Sequence, residues 1–514
     1  MFGKITAVDK KFPGNGETLI YVAFEDTFKK DNGLKQLGKK INNKLLQHEF
    51  SGKEGELVSV DVDHFYKTII IVGAGKEKEF SLIKWRNLLA DTFRYCCANK
   101  LTNVTVSHVD LLKKDYFEIG KNLAVALYLT NYDFDFYKSE EAKKKIKRIT
   151  NLDFQSVSSS QSIFKSQFSN GVKYGILLAE GVCLTRDLVN QPAAHVHPDT
   201  LEDQALQIAK ESKGKITVEV LDENECRKLG MEAYLGVAAG SEQSPKFIIL
   251  HYSGSLKNSK QVSSIPPICL IGKSITFDSG GLSLKPSEHM ETMKMDMAGG
   301  ATVLGVFKIL AHTGECGINI NAEISGILPA CENMPSGHAM RPGDIVTALN
   351  GKSIEVLKTD AEGRLTLADA LSYAEKYLQP AMIIDLATLT GACIVALGKN
   401  IAGMFGNDQK MLDNLEKAAN TEGEELWPMP LHKYYAKSLK SPIADLKNIG
   451  GGKYSGGAIT AALFLSDFVD KAKWIHLDIA GPAFNDNEPY GVVNRGGTGW
   501  GILTLMSFLR QSPV

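Results

Sequence analysis

No stretch of this chain reaches the ~20 consecutive apolar residues that a bilayer-crossing helix needs. No excess of one charge marks it either: 58 Lys and Arg stand against 59 Asp and Glu. The first absence argues against a helical membrane protein. The second, with no dense Lys/Arg stripe, removes the electrostatic footprint of a nucleic-acid binder. Cysteine is sparse and unpatterned, at positions 96, 97, 183, 226, 269, 316, 331 and 393 with no Cys-x-x-Cys pair. That spacing suits isolated thiols in a reducing compartment better than a disulfide framework or a zinc knuckle. Met1 to Pro13 contains charges and no apolar run, so no secretory leader is expected. The expectation is a soluble, cytoplasmic protein.

What is present is globular: 44% hydrophobic and 23% charged residues over 514 positions, too long for one ordinary core. In the first 150 residues, Thr18 to Phe24 reads as a strand and Thr68 to Val72 as an apolar run stopped by Gly73. Asn103 to Val109 alternates, Leu123 to Leu129 is a further apolar run, and Phe80 to Cys97 suits an amphipathic helix. Residues 26 to 57 are polar and read as a helix with a loop. The charge run Glu140 to Arg148 reads as a solvated surface, and the Ser/Gln-rich stretch Gln155 to Ser162 as exposed. The chain divides near there into domains 1–168 and 169–514. In the second part, a helix through Val172, Ile176, Ala179 and Cys183 runs to about Val189, and Thr200-x-x-Asp203 suggests a capping box for the next helix. Ile216–Leu221, Phe247–Leu250, Ile268–Ile271, Ile318–Ile324 and Met382–Leu386 read as strands with helical segments between most of them. The predicted class is α/β, with a small N-terminal domain and a larger domain around a parallel or mixed sheet.

Two acidic segments hold the candidate chemistry. Residues 272 to 281 follow a strand, where α/β sheets place their ligands. They contain Lys273 and Asp278 before Gly280-Gly281, which lets the backbone turn sharply. Lys285, Lys294 and Asp296 follow, with methionines at 290, 293, 295 and 297 that suit either core packing or a tolerant apolar pocket. Gly272-Lys273-Ser274 only superficially resembles a phosphate loop, because Pro267 stands where its first glycine belongs. In the second segment, Asp360, Glu362 and Arg364 lie two residues apart, so extended backbone would put all three on one face. Carboxylates so close repel unless a cation lies between them. A helix from Leu365 to Tyr377 follows. Asp278, Asp296, Asp360 and Glu362 could hold two divalent ions about 3.5–4 Å apart, able to share a nucleophilic water. An acidic turn paired with Arg364 and a surface ion pair at Asp278 are the alternatives.

These segments resemble the leucyl (cytosol) aminopeptidase family. The resemblance rests on Thr359-Asp360-Ala361-Glu362-Gly363-Arg364-Leu365, on Gly272-Lys273 through Gly280-Gly281, and on Met293-Lys294-Met295-Asp296-Met297. It is supported by Glu332 to Gly337, Arg341 to Asp344, Asp385 to Ala392, Tyr454 to Gly457, His476 to Gly481, and Arg186 to Asn190 with Pro192. It covers roughly 174 to 510. One departure is Lys358, where the family usually has Asn, and Met295 occupies a position that varies among relatives.

The resemblance implies a hydrolase that removes the N-terminal residue of peptides with two divalent metal ions, zinc or manganese ahead of magnesium or cobalt. It implies Asp278 and Glu362 as bridging ligands, Asp360 completing one site, and Lys273 and Asp296 the other. Lys285 would stabilise the oxyanion and Arg364 would hold bicarbonate, helped by backbone near Gly363, Leu365 and Leu389. Met293, Thr388, Gly391 and Ala480 would line the side-chain pocket, favouring leucine or another apolar residue, and Lys285 and Asp296 would also bind the substrate. The substrate would be a peptide with a free N-terminus. The implied assembly is a homohexamer, and the implied fold a macro-like N-terminal domain beside a catalytic domain with a central mixed eight-stranded sheet. His476 is expected to be structural, and His289 has no assigned partner. Three rivals remain to be weighed: a serine hydrolase using Ser279, which lacks the Gly-x-Ser-x-Gly elbow, a DNA-associated binding protein, and a two-metal phosphoesterase.

Overall fold

The structure, a computed structural model, describes residues 3–9, 17–63, 66–107, 115–156, 161–254, 265–452 and 455–511. Tyr454 of the sequence motif, residues 108–109 of the expected strand and residues 157–160 of the Ser/Gln-rich stretch lie outside them. The chain forms two compact units, Met1–Ala179 with Asn487–Asn494, and Glu180–Asp486 with Arg495–Val514.

The first unit holds a six-stranded sheet of β1 (Lys4–Asp9), β2 (Thr18–Ala23), β3 (Leu57–Asp61), β4 (Thr68–Gly73), β5 (Asn103–Val106) and β6 (Asn151–Ser156). Their order is β1-β6-β5-β2-β4-β3, parallel except for the edge strand β3. All of β4 is buried, which explains its unbroken β-branched run. Successive side chains face opposite ways: Ile69 and Ile71 join Val58, Val60, Leu34 and Ile41 in one core. Elsewhere in the unit, Trp85 of the helix Leu82–Ala98 meets Phe154 of β6 edge-on at 6.1 Å. The apolar run 123–129 lies inside the helix Tyr116–Thr130, buried continuously from Ile119 onward. A helix buried all round shows no amphipathic period, so hydrophobicity alone could not separate it from a strand. Residues 26–57 contain two short helices, Asn32–Gln36 and Lys39–Gln47, and the charge run begins with the exposed helix Glu140–Lys145.

The second unit contains β7 (Ile216–Leu221), β8 (Lys246–Tyr252), β9 (Ile265–Gly272), β10 (Ser274–Asp278), β11 (Ala322–Asn333), β12 (Ile345–Thr347), β13 (Ser353–Glu355), β14 (Met382–Ala387), β15 (Ala402–Gly406), β16 (Leu426–Pro428), β17 (Leu446–Lys447) and β18 (Lys473–Asp478). Eight strands run β16-β15-β18-β14-β9-β11-β8-β7, and β10 pairs β11 as a ninth member. The sheet is mixed: β9, β11, β14 and β18 are mutually parallel neighbours, while β8 runs against β11 and β15 against β18. A small sheet of β12, β13 and β17 stands apart from it in the hydrogen-bond pattern.

Register decides where the site forms. Leu386 pairs with Gly272, and Ala387 with Asp478, so β9, β14 and β18 end on one edge. Asp278 at the end of β10 pairs with Asn333 at the end of β11. Two expectations are corrected. The helix expected to begin at Thr200 is Pro198–Glu211, and Thr200 instead accepts the backbone N–H of the cap residue His197 at 3.1 Å. The strand expected over 318–324 begins at Ala322 and continues to Asn333. The long helix Gln161–Asn190 ends two residues before Pro192, as the proline requires. Among the described residues, no helix is long and apolar enough to cross a membrane.

Candidate active site

Lys273 links β9 to β10, and its backbone is locked on both sides. Its N–H donates to Leu386 O at 2.9 Å, and its carbonyl accepts from Gly300 N at 2.9 Å. The side chain is buried with its Nζ 2.7 Å from Asp296 Oδ2, 3.0 Å from Glu362 Oε1 and 3.0 Å from Thr388 O. Asp296 follows the short turn Met293–Met295 that precedes the helix Ala298–His312, and it also accepts Thr388 Oγ1 at 2.8 Å. Asp278 accepts Gly280 N at 2.9 Å and Asn333 Nδ2 at 2.8 Å on one oxygen. Its other oxygen lies 2.8 Å from Lys285 Nζ, and Lys285 also bonds Asp360 Oδ1. The turn that brings Lys285 back uses Gly280 at φ 86°, a left-handed conformation open to glycine.

The second acidic segment is not extended. Ala361 N bonds Lys358 O at 3.1 Å, closing a turn, and Glu362 is already αR (φ −81°, ψ −35°) ahead of the helix Gly363–Tyr373. The turn aims Asp360 and Glu362 into one cavity of about 810 Å³, and Arg364 is not among its lining residues. The three side chains therefore do not share one face as extended backbone would have them. Arg364 is buried in the helix's first turn, with Nη1 donating to Asn448 O at 2.7 Å and Nε unpaired. The amide of Leu365 donates to Glu362 O at 2.8 Å, and that of Leu389 to Asp478 Oδ1 at 3.3 Å.

Burial and repulsion work together on the carboxylates. Desolvation lifts Asp296 to about 8 against the pull of Lys273, and desolvation with repulsion from Glu362 raises Asp278. Burial pushes Asp360 upward too, yet Lys285 and Lys358 bring it below the usual carboxylate range. Burial disfavours both ammoniums, but the surrounding carboxylates outweigh it and hold Lys273 and Lys285 above the ordinary lysine value. Burial takes Arg364 down to about 10.

The donor set fits a divalent cation. Oxygens of Asp278, Asp296 and Glu362 approach within 4.8 Å of one another, a combination of acidic groups unique among the described residues. Glu362 Oε2 is buried with no hydrogen-bond partner, and such an orphaned oxygen is costly unless a cation takes it. Asp278, Asp296, Asp360 and Glu362 against Lys273, Lys285 and Lys358 also leave one carboxylate's charge to be neutralised.

Met293, Thr388, Gly391 and Ala480 all line the cavity, with Met295, Leu284, Ile394 and Phe484. His289 sits on its lining with an exposed ring, 3.8 Å from Glu288. His476 is buried in β18, its Nδ1 2.6 Å from Asp385 Oδ1, between the rings of Phe405 and Trp474. Ser279 Oγ donates to Asn333 O at 2.7 Å and accepts Gly281 N at 3.1 Å, and among the described residues no histidine hydrogen-bonds to it. Sequence reasoning assigned no role to Asn333, Asn448 or Asp478. Asn333 orients Asp278, Asn448 anchors Arg364, and Asp478 ties down Thr390 at 2.6 Å. No local spacing could have revealed them, because each partner lies dozens of residues away.

Carboxylates and lysines converging at the ends of parallel strands, inside a cavity with an apolar flank, define a metal-dependent hydrolase. Comparison with known proteins places the chain within that class. Residues 183–506 match the catalytic domain of the cytosol aminopeptidase family, and residues 23–141 match its N-terminal domain. The chain is 40% identical over 502 residues to a probable cytosol aminopeptidase of Rippkaea orientalis, covering 96% of each. It is 41% identical over 479 residues to the cytosol aminopeptidase of Pseudomonas aeruginosa, covering 92% of each. A mutant tomato leucine aminopeptidase superposes with a TM-score of 0.85 at 36% identity, over 99% of this chain and 96% of that one. The bottromycin maturation enzyme BotP in complex with Mn gives 0.81 at 28% identity, over 97% and 100%. This chain belongs to the cytosol aminopeptidase family and is a metal-dependent exopeptidase, a hydrolase acting on peptides.

Proposed function

We propose that the chain hydrolyses the N-terminal residue from peptides, preferring leucine or another apolar first residue, with two divalent cations, zinc or manganese, held by the carboxylate cluster. Asp278 and Glu362 would serve both cations, Asp360 would help hold one, and Lys273 and Asp296 would help hold the other. The observation that carries this reading is the convergence of Lys273, Asp278, Asp296, Asp360 and Glu362 on one cavity whose flank is formed by Met293, Thr388, Gly391 and Ala480. Two bound cations supply Lewis acidity toward the scissile carbonyl and lower the pKa of a water, and bicarbonate held at Arg364 supplies a group for proton transfer.

The chain's own residues do the remaining work. Lys285 reaches into the cavity as an ammonium and neutralises negative charge developing on the carbonyl oxygen. Lys273 would serve as a neutral ligand, its ammonium proton passing to solvent because nearby cationic charge penalises the protonated form. The unpaired Nε of Arg364 leaves a donor for an anion beside Gly363, Leu365 and Leu389. The methionine-bearing wall accepts varied apolar side chains, with soft discrimination of ~1–3 kcal/mol per methylene. The wider frame is domain 1–168, macro-like, ahead of the catalytic domain 169–514, assembled as a homohexamer in the cytoplasm. The whole-length similarity to proteins named cytosol aminopeptidases supports that frame.

The test is a side-by-side assay of leucine p-nitroanilide and a phosphate monoester. The amide should be cleaved, the ester left intact, and a chelator should abolish cleavage until zinc or manganese is returned. Asp360→Ala should lose amide hydrolysis with an unchanged circular dichroism spectrum. A metal-replete, active Asp360→Ala enzyme would defeat the assignment.

A further inference from the structure

The apolar flank of the cavity runs into charge. The helix Gly391–Leu397 lends it Gly391 and Ile394, and the chain beyond β18 lends it Ala480 and Phe484. A Cβ on Gly391 would meet nothing within 4 Å, so the wall leaves room there. Lys399 then follows that helix by two residues, Asp486 follows Phe484 by two, and both line the cavity as well. Gly481 lets the two segments meet: a Cβ on it would lie 2.6 Å from Gly398 O and 3.3 Å from Lys399 Cα. Lys399 Nζ donates to Asp486 Oδ2. That bond holds the Asp486 carboxyl below the usual carboxylate range, so it is ionised at neutral pH.

The pair is half exposed, with 49% of the Lys399 side chain and 50% of the Asp486 side chain open to solvent. An ion pair so placed contributes little, so a second cation can take the carboxylate from the ammonium at small cost. A guanidinium is suited to do so. It meets both oxygens of a carboxylate at once, whereas Lys399 bonds Oδ2 alone. The stem of an arginine or lysine side chain is apolar and suits the same wall as leucine. A glutamate has a shorter stem and would set a second carboxylate beside Asp486, which repels it.

We propose that the side-chain pocket has a polar outer end, in which Asp486 is a specificity-determining residue for a long basic first residue, arginine above lysine, and Lys399 is its built-in competitor. This inference rests on the reading of the chain as an aminopeptidase with an apolar first-residue pocket. Leucine uses the wall alone, and arginine uses the wall and the carboxylate at its end.

The test uses full-length, metal-loaded enzyme and the p-nitroanilides of arginine, lysine, leucine and glutamate. The readout is the ratio of kcat/KM for arginine to that for leucine, which does not depend on the fraction of enzyme that is folded. Asp486→Asn should lower the ratio about tenfold. Lys399→Met should raise it about threefold, and high salt should shrink both changes. Asp486→Lys should lower it further and raise the ratio of glutamate to leucine. An arginine-to-leucine ratio unmoved by Asp486→Asn, or a wild type that cleaves leucine and not arginine, overturns the role given to Asp486. A wild type that cleaves neither overturns the aminopeptidase reading itself, so the two failures are distinguishable.

Discussion

Strand β4 of the first unit and strand β9 of the second both run through a buried interior, carry an apolar core sequence and stop at a glycine that a neighbouring backbone approaches closely. A Cβ on Gly73 would strike the carbonyl of Lys53, and one on Gly272 the backbone of Gly299 and Gly300. The chains then diverge. After β4, Ala74 and Gly75 spend their amides on Ala23 O and Gly52 O, and the strand end is closed by backbone alone. After β9, Lys273 enters the interior, and the backbone packed against Gly272 begins the helix that follows Asp296. A glycine-ended strand in an α/β sheet thus offers only an opening. The residue that follows, and the segment that the glycine lets approach, decide whether the opening becomes a chemical site.

The largest effect that would sharpen this contrast is at the cluster. Glu362→Gln removes a charge that nothing else supplies, and kcat for leucine p-nitroanilide should fall on the order of ten-thousand-fold. Retention of most activity would mean that the sealed triad is structural, and the two strand ends would then be alike. The paired glycine substitutions come next. Gly272→Ala must push back the backbone at Gly299 and with it Asp296, so it should cost about a hundredfold in activity through misplacement of about 1 Å. Gly73→Ala should lower the melting temperature and leave kcat per folded molecule unchanged. Calorimetry with activity normalised to folded protein reads both, and an equal loss of kcat from Gly73→Ala would break the comparison.

The smallest effect concerns stability alone. Asp369 on the helix Gly363–Tyr373 accepts the backbone N–H groups of Tyr234 and Leu349, each at 2.8 Å, in a fully buried position. Burial outweighs those bonds and lifts its carboxyl from 3.8 to about 7. Because the folded state binds the proton more tightly, the associated stability is present below about pH 4 and is lost as pH rises through about 7. Asp369→Asn should flatten this slope in urea melts between pH 4 and 8. It should also cost ~1–3 kcal/mol at neutral pH, since its amide sets an N–H against a backbone donor. An unaltered pH slope in that variant would assign the dependence to another group.

Much of this was legible one residue at a time. Asp278 stood out by its place after a strand and before Gly280-Gly281, and the acids at 360 and 362 by their close spacing, while the role of Lys273 came from the family resemblance alone. The geometry of the second segment was misjudged: alternate spacing suggests one face of extended backbone, whereas a turn at 359–360 and a helix start at 363 separate Arg364 from its neighbours. Asn448, which anchors both Lys358 and Arg364, carried no local mark at all. The run 123–129 was ambiguous because a fully buried helix and a buried strand present the same hydrophobicity.

The sequence by itself determined the α/β class, the identity of the acids and lysines, and their fitness for a divalent cation, because these depend on side-chain chemistry and local periodicity. The tertiary structure decided which acids share a cavity, which lysine touches which oxygen, and where Arg364 points. Those outcomes depend on strand register and on hydrogen bonds between residues far apart in the chain, and no local pattern encodes such distances.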